Sequence, residues 1–313
     1  MHITKKEKSM VIVVILSLIV LVNGVFAFNL IRDMVAHKSE IMKEPGNPIA
    51  IAIYSFVLFL LSTLGISDFA ISMAVYPKTK WVSAKKMPGT LNVQCTIPAA
   101  VMALAFINAI KIDIVTLVVP IVCQMVGSYL APKYVVKLPA NTIKKVMSVG
   151  LFIAAAFILA GKFNLMPTGG QATQLTGIKL VILGCCTFVW GALNNIGIGS
   201  YSTTMATVYA LGLNPAASFP IMMGSSAFSV PMGSMQFVKL DSYSRKITLF
   251  TSTLGVIGVL IAVFFVKNLD LASLQWIVVA IIIYSAISMM HDAIKSEKEE
   301  KAKLSEGGNL NVE

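Results

Sequence analysis

The sequence predicts an all-α integral membrane protein with about eight to ten transmembrane helices. Three observations predict this class. Hydrophobic residues make up 57% of the 313-residue chain and charged residues only 12%, about half of the roughly 25% that soluble domains carry. The mean hydropathy is +0.82. Long apolar runs without charge recur along the chain, and spanning helices need such runs of about 20 residues.

The apolar runs predict the helices in chain order. Those of membrane length lie near 10–31, 48–64, 90–110, 114–131, 143–161, 177–196, 218–238, 247–266 and 272–290. Two shorter apolar pieces, 66–76 and 198–210, lie between full-length helices. Lysines precede the first run, so a cleaved signal peptide is the alternative there. Its apolar part is longer than the roughly 7–15 residues of a signal-peptide core, which favours a retained helix.

The helices are predicted to form one transmembrane transporter domain over 1–294. Within it, 10–140 and 142–290 form two pseudo-symmetric halves. The segment 295–313 alternates lysine and glutamate before a Gly-Gly-Asn sequence. This composition predicts a disordered charged tail.

The two halves are visible as a weak internal repeat. At an offset of 132 residues, Gly65 aligns with Gly197 and Pro88 aligns with Pro220. Each glycine is followed by isoleucine, which extends both matches by one residue. Weak internal symmetry of this kind is typical of secondary transporters.

Loop charge bears on how the halves are related. Loop 77–89 has four lysines and its counterpart 209–217 has no charge; loop 132–145 has four and 267–271 nets zero. Matching loops of opposite charge bias favour inverted topology. A parallel repeat stays the alternative, because inversion needs an odd number of crossings per half and places the basic N-terminal tail on the lysine-poor side.

Each short apolar piece follows a glycine, Gly65 or Gly197, and this predicts broken or re-entrant helices. Unwound backbone inside a membrane is tolerated where it is buried in protein or lines a cavity. A helix that restarts there presents free N–H groups and a positive dipole end, which suit an anion. The alternative is a packing face of small residues. The candidate substrate-binding residues after the breaks are Ser67, Asp68, Gly199, Ser200 and Ser202.

Further polar residues lie in the flanking apolar runs. Asparagine and glutamine in charge-free segments need hydrogen-bond partners, and their amides can donate to an anion or cap broken helix ends. Interhelical hydrogen bonding, at about 0.6–2 kcal/mol per contact, is the alternative role. These additional candidates are Thr90, Asn92, Gln94, Asn194, Asn195, Ser225 and Ser226.

Asp68 is the one acid well inside an apolar run. An acid within a membrane is a candidate proton or cation site. The alternative is that Asp68, beside Ser67, caps the following short helix.

Several function classes are excluded or disfavoured by the residue pattern. The net charge of +11 comes from lysines in short loops between apolar runs, which is the positive-inside pattern of membrane proteins and not a nucleic-acid-binding stripe. The four cysteines show no metal-ligand spacing. The nucleophile-elbow, zinc-protease and phosphate-loop motifs do not occur. We therefore expect no metal, no cofactor and no enzymatic activity.

The glycine breaks carry a family resemblance. The stretches Gly65 to Pro98 and Gly191 to Phe237, each with a Gly-Ile step and a later proline-containing helix, resemble the TauE/SafE sulfite exporter family, over roughly 48–290. The resemblance implies two four-helix halves and export of small anions such as sulfite and organosulfonates. The family pattern continues in glycines; here Ser67-Asp68-Phe69 replaces them in the first half, so the substrate and the coupling ion are open.

The sequence thus predicts a secondary transporter, an exporter of small anions, in the plasma membrane. The expected partners are a small anionic substrate and the lipid bilayer. A coupling proton or cation and a second copy of the chain are further expectations. A channel or membrane scaffold is the alternative, and an intramembrane enzyme is a third hypothesis.

Overall fold

The computed structural model describes the chain apart from residues 1–4, 64–65, 107–111, 166–169, 266–275, 277–278, 281–282, 285 and 299–313. Side chains are additionally not described at 5–12, 106, 201–202, 215–219, 223 and 265. The described residues are mainly helical and contain no strand; the β-type contact among them is an isolated bridge between Ala172 and Leu213.

The helices follow one another through short connections. In chain order they are α1 Lys5–Ala36, α2 Lys38–Ile41, α3 Pro48–Thr63, α4 Asp68–Thr79, α5 Met87–Phe106, α6 Ile114–Leu130, α7 Pro132–Val135, α8 Ala140–Lys162, α9 Gly177–Asn194, α10 Ser200–Ala210, α11 Pro215–Lys239, α12 Arg245–Phe250, a π-helical turn Thr251–Gly255 and α13 Val256–Phe265. Residues 276, 279–280, 283–284 and 286–298 are also helical and are called the C-terminal helical segment below.

Five helices within the described residues are long and apolar enough to cross a membrane. They are Val13–Ala36, Ile114–Val135, Ala140–Lys162, Gly177–Asn194 and Arg245–Phe264. Large apolar side chains on these and neighbouring helices point outward, as at Phe28, which is 69% exposed, and Ile49, which is 72% exposed. Apolar surface of this extent is unfavourable in water and suits lipid. The chain is an all-α protein of the membrane class.

Helices α5 and α11 are 20 and 25 residues long and contain several uncharged polar residues. They pack against each other. Their polar side chains are shielded from the surroundings: Asn92, Gln94, Ser225 and Ser234 are each 0% exposed. A polar group in lipid is costly without partners, so this burial places α5 and α11 in the middle of the bundle.

The predicted helices coincide in position with the helices of the structure, but the residues at which they begin and end differ. The first helix is longer than the predicted 10–31, and the short pieces 66–76 and 198–210 correspond to α4 and α10. The C-terminal helical segment continues to residue 298, into the predicted tail, whose remainder lies outside the described residues. The predicted break at Gly65 also lies outside them.

Helices α3 and α4 form one hairpin, and helices α9 and α10 form another. The first hairpin begins and ends at one end of the bundle, and the second begins and ends at the opposite end. Gly46, just before α3, lies against Trp81, just after α4: a Cβ added to Gly46 would be 2.9 Å from the Trp81 ring. Lys179, early in α9, donates from Nζ to the carbonyl of Leu211, just after α10, at 3.3 Å. Thus α3 and α4 return to one end, and α9 and α10 return to the other.

The first helix of each hairpin packs on a helix that lies far from it in the chain. Helix α9 packs on α6, and α3 packs on α13 and the π-helical turn. A Cβ added to Gly127 would lie 2.0 Å from the carbonyl oxygen of Phe188, and one added to Gly258 would lie 2.3 Å from that of Phe56. The phenylalanines are 132 positions apart (188 − 56) and the glycines 131 (258 − 127). Both helix pairs therefore approach through glycine at corresponding positions.

Most of the described basic residues lie at one end, called the lysine-rich end. Its segments are joined by contacts such as Lys86 Nζ to Asp241 Oδ1 at 3.9 Å and Lys246 Nζ to the carbonyl of Gly46 at 2.7 Å. The other end contains the Ala172–Leu213 bridge. The basic residues of the lysine-rich end include Lys38, Lys43, Lys78, Lys80, Lys85, Lys86, Lys133, Lys137, Lys144, Lys145, Lys239, Arg245 and Lys246.

Candidate functional site

The turn between α9 and α10 lies at the centre of the candidate site. Gly197 adopts φ +99°, a conformation that side chains other than glycine rarely take. The Asn194 Oδ1 accepts a hydrogen bond from the Ser200 backbone N–H at 3.1 Å, and Gly199 is the N-cap residue of α10. Local sequence thus fixes the turn: glycine permits the backbone reversal, and the Asn194 amide satisfies a donor at the start of α10.

Asn194 also joins this turn to α5. Its Nδ2 donates to Asn92 Oδ1 at 2.9 Å, and Asn92 Nδ2 donates to the carbonyls of Pro88 at 2.9 Å and Asn194 at 3.4 Å. Asn194 is 3% exposed and Asn92 is fully buried. The two predicted site residues, 102 positions apart, therefore form one buried amide pair between α5 and the turn.

Gln124 of α6 extends the site, and the sequence analysis did not single it out. Its Nε2 donates to Ser200 Oγ and to Ser229 Oγ, each at 3.1 Å. Thr204 Oγ1 donates to Gln124 Oε1 at 3.4 Å. In the sequence, this residue is visible as a single amide side chain within a long apolar run. This buried side chain gathers hydroxyls from α10 and α11 around one amide.

Asn195 lies beside the same turn and keeps an unused acceptor. Its Nδ2 donates to the carbonyls of Ser128 at 3.2 Å and Gly191 at 2.9 Å. Among the described side chains, Asn195 Oδ1 and Ser225 Oγ are buried without a hydrogen-bond partner. Buried polar groups are rarely left unpaired. Both atoms are therefore candidates for contact with a bound molecule.

A second polar cluster surrounds Ser72 of α4. Ser72 Oγ accepts from Gln94 Nε2 at 2.9 Å and is hydrogen-bonded to Tyr54 OH at 2.8 Å. Tyr76 OH donates to Gln94 Oε1. Gln94 therefore belongs to this cluster and not to the Asn92–Asn194 pair. Neither tyrosine stands out in the sequence, because aromatic residues in apolar runs are usually part of the core.

The start of α4 separates the roles of Ser67 and Asp68. Ser67 is the N-cap residue, and its Oγ accepts from the Ala70 N–H at 3.3 Å. Asp68 is the first residue of the helix, so the capping side chain is Ser67. Asp68 Oδ1 accepts from Ser62 Oγ at 3.4 Å, while Oδ2 is buried without a partner.

The other predicted residues lie apart from the amide pair or outside the described part. Thr90 is at the lysine-rich end, where its Oγ1 accepts from the Ser244 N–H at 2.9 Å. Pro88 is the second residue of α5, a position where proline fits a helix start, whereas Pro220 lies inside α11. Ser226 is half-buried on α11. The side chain of Ser202 lies outside the described residues.

The arrangement suits hydrogen bonding to an anion better than covalent chemistry. Its described groups are amides, hydroxyls, two tyrosines and one carboxyl group. No group of three or more His, Cys, Asp or Glu side chains able to hold a metal occurs among the residues that the structure describes. Comparisons with protein-family models, with curated proteins and with solved structures found no match.

Proposed function

We propose that the chain is a secondary transporter that exports small anions such as sulfite or organosulfonates across the plasma membrane. The observation that carries the proposal is the start of α10 in the middle of the bundle, beside Asn194 and Gln124. Free N–H groups and the helix dipole at such a start favour an anion. Secondary transporters bind substrates at helix interruptions near the bilayer midplane.

The proposed architecture is two inverted halves, each with a re-entrant hairpin. The α3–α4 hairpin returns to the lysine-rich end and the α9–α10 hairpin returns to the other, which supports inversion over a parallel repeat. The reciprocal glycine approaches at Gly127 and Gly258 support a two-fold relation between the halves, which inverted and parallel repeats share. On this proposal α1 lies outside the repeat, which accounts for the N-terminal lysines at the lysine-poor end.

The proposed orientation places the lysine-rich end in the cytoplasm. Short loops on the cytoplasmic side of membrane proteins carry an excess of lysine and arginine. Membership of a TauE/SafE-like family remains a prediction from the resemblance of the glycine breaks. The proposed transport function does not depend on that membership, because it is supported by the buried amides and hydroxyls.

Replacing Gly199 with leucine is expected to stop transport while leaving the fold intact. Gly199 has φ −55°, and within the described chain a Cβ added there meets no heavy atom within 4 Å. The backbone there accepts a side chain, and the Cβ of leucine enters open space at the helix start. If two hydrogen bonds to the anion are lost, the initial rate of sulfite or sulfoacetate uptake into proteoliposomes should fall by about tenfold or more.

Gly161→Leu is the matched control, since a Cβ at Gly161 in α8 likewise has no described heavy atom within 4 Å. It should transport at the wild-type rate. Wild-type rates in well-folded Gly199→Leu would refute the proposed site.

Asp68→Asn is expected to abolish the pH dependence of uptake if Asp68 carries the coupling proton. The unpartnered Oδ2 supports this role, because a buried carboxylate oxygen without a partner is unfavourable unless the group binds a proton or a cation. Uptake is measured over a pH series in proteoliposomes with equal internal and external pH. Asp113→Asn serves as control: Asp113 caps α6 by accepting from the Thr116 N–H at 3.1 Å, and asparagine caps about equally well. Unchanged pH dependence in Asp68→Asn would exclude the proton role.

A further inference from the structure

A cavity of about 400 Å³ opens at the lysine-rich end. It lies between α4, α8, the connection after α4 and the C-terminal helical segment. This volume is in the range of roughly 300–1,000 Å³ that is usual for small-molecule sites. Its walls are mainly apolar and include Ala74, Pro77, Val82, Met87, Ile143 and Met289.

Two side chains that line the cavity also contact the α9–α10 turn. Met73 of α4 and Met147 of α8 line the cavity. A Cβ added to Gly197 would lie 3.0 Å from Met73 Sδ and 3.4 Å from the Met147 side chain. These two side chains therefore lie between the cavity and the turn that begins α10. Methionine is unbranched and adaptable, so a change of rotamer at Met73 or Met147 can connect the cavity to the turn.

The mouth of the cavity is positively charged. Lys78, Lys80 and Lys144 line it together with one acid, Asp292. The Lys78 ammonium lies 3.7 Å from the centre of the Tyr284 ring, which orients it. Charged clefts with low-dielectric walls concentrate ions of opposite sign. An excess of cations at the mouth and apolar walls below it match an anion with a short apolar portion.

We propose that this cavity binds an organic anion with a short apolar portion and is the route between the lysine-rich end and the Gly197 turn, with Met73 and Met147 closing its inner end. The proposal rests on the transport function proposed above, because it assigns the approach to the same central site. A free alkyl anion and an anionic phospholipid share this chemistry, and the experiment separates them.

The test measures the reactivity of a single introduced cysteine in the full chain in detergent. Cys123, Cys185 and Cys186 are replaced by alanine, while buried Cys95 is kept. Ser83→Cys and, separately, Met147→Cys place a thiol on the cavity wall and at its inner end. Two methanethiosulfonate reagents of similar size are compared, one with an ethylsulfonate group and one with an ethyltrimethylammonium group.

Each reagent's rate with the introduced cysteine is divided by its rate with free mercaptoethanol. After this correction, the anionic reagent should react about tenfold or more faster than the cationic one at both positions. Gln171→Cys, in an exposed segment at the other end, is the control and should show a much smaller ratio. Lys78→Gln with Lys144→Gln should remove most of the preference at Ser83→Cys. Millimolar ethanesulfonate should slow the modification.

Equal ratios at the cavity positions and at Gln171→Cys would overturn the proposal. So would modification that ethanesulfonate leaves unchanged and phosphatidylglycerol blocks, since that result assigns the cavity to lipid. Two positions are used so that a folding defect in Met147→Cys leaves Ser83→Cys decisive. The rates of thiol modification are measured without transport. If the anionic reagent is preferred but the protein transports no anion, only the proposed transport function is refuted. If the protein transports anions but shows no preference for the anionic reagent, only the cavity assignment is refuted.

Discussion

Gly127→Ala is expected to lower the free energy of unfolding by about 3 kcal/mol or more. Helix α6 approaches α9 so closely that the added Cβ would lie 2.0 Å from the Phe188 carbonyl oxygen and 3.0 Å from its carbon. Backbone atoms cannot turn aside as a flexible side chain can, so the helices must separate. Overpacking typically costs about 1–3 kcal/mol and occasionally more, and here the separation also disturbs the nearby Gln124 hydrogen bonds.

Thermal unfolding of the purified protein in detergent measures this loss. Gly24→Ala in α1 is the control, because no described heavy atom lies within 4 Å of its added Cβ. Alanine favours a helix over glycine by up to about 1 kcal/mol, so this variant should be as stable as wild type or slightly more stable. Gly258→Ala should lose stability as Gly127→Ala does. If Gly127→Ala melted at the wild-type temperature, α6 and α9 would not be in this contact.

Asp33→Ala is expected to cost about 3–5 kcal/mol of stability, because it leaves a buried cation without its main partner. The Arg245 side chain is 5% exposed. Its Nε donates to Asp33 Oδ2 at 2.8 Å and its Nη2 donates to Oδ1 at 3.0 Å. Tyr243 OH donates to the same carboxylate at 2.5 Å. Burial, followed by the hydrogen bond to Asp33, raises the pKa of Tyr243 above its ordinary value, so the phenol stays a donor.

The matched control for this pair is Asp241→Asn, because Asp241 has φ +48°, a conformation that asparagine tolerates and alanine does not. Asp241 Oδ1 lies 2.8 Å from Arg245 Nη1, but its side chain is 65% exposed. Exposed pairs contribute about 0–1 kcal/mol, so this variant should melt close to wild type. Urea or thermal unfolding of both variants in one detergent gives the comparison. Equal losses in the two variants would contradict the assigned role of burial.

The sequence predicted the helices well because lipid requires long apolar segments, and these are read directly from the chain. It also located α4 and α10, since each is short and preceded by a glycine step. Gln124 was missed because one amide in an apolar run has no period or partner in the sequence. The Asp33–Arg245 pair spans 212 positions, and nothing local indicates such a contact.

The candidate site residues on α5 have different neighbours in the structure. Thr90 and Gln94 are one helical turn apart and share a face, but their partners differ: Thr90 meets the Ser244 backbone at the lysine-rich end and Gln94 meets Ser72. Helical spacing gives the face of a residue and not its neighbour. Asn92 was predicted as a site residue, yet its pairing with Asn194 became apparent only through the packing of α5 on the turn.

The surroundings of the two short helices α4 and α10 differ in chemistry. Asp68, two tyrosines and Gln94 lie near the start of α4, whereas Asn194, Asn195 and Gln124 lie near the start of α10. On the proposed function, the groups around the start of α10 supply most of the donors for the anion, and Asp68 at the start of α4 supplies the titratable group for coupling. The Gly199→Leu and Asp68→Asn measurements separate these contributions, because the first should lower the rate and the second should remove its pH dependence.

The central claim, carrier-type transport of a small anion, is tested most directly by counterflow with the unmutated protein. Proteoliposomes are loaded with unlabelled sulfite, or in parallel with sulfoacetate, and diluted into a trace of the labelled anion. We expect saturable uptake that is accelerated by the internal anion and absent from protein-free vesicles. Uptake without saturation or internal acceleration would indicate a channel, and no uptake of either anion would contradict the proposed substrate class.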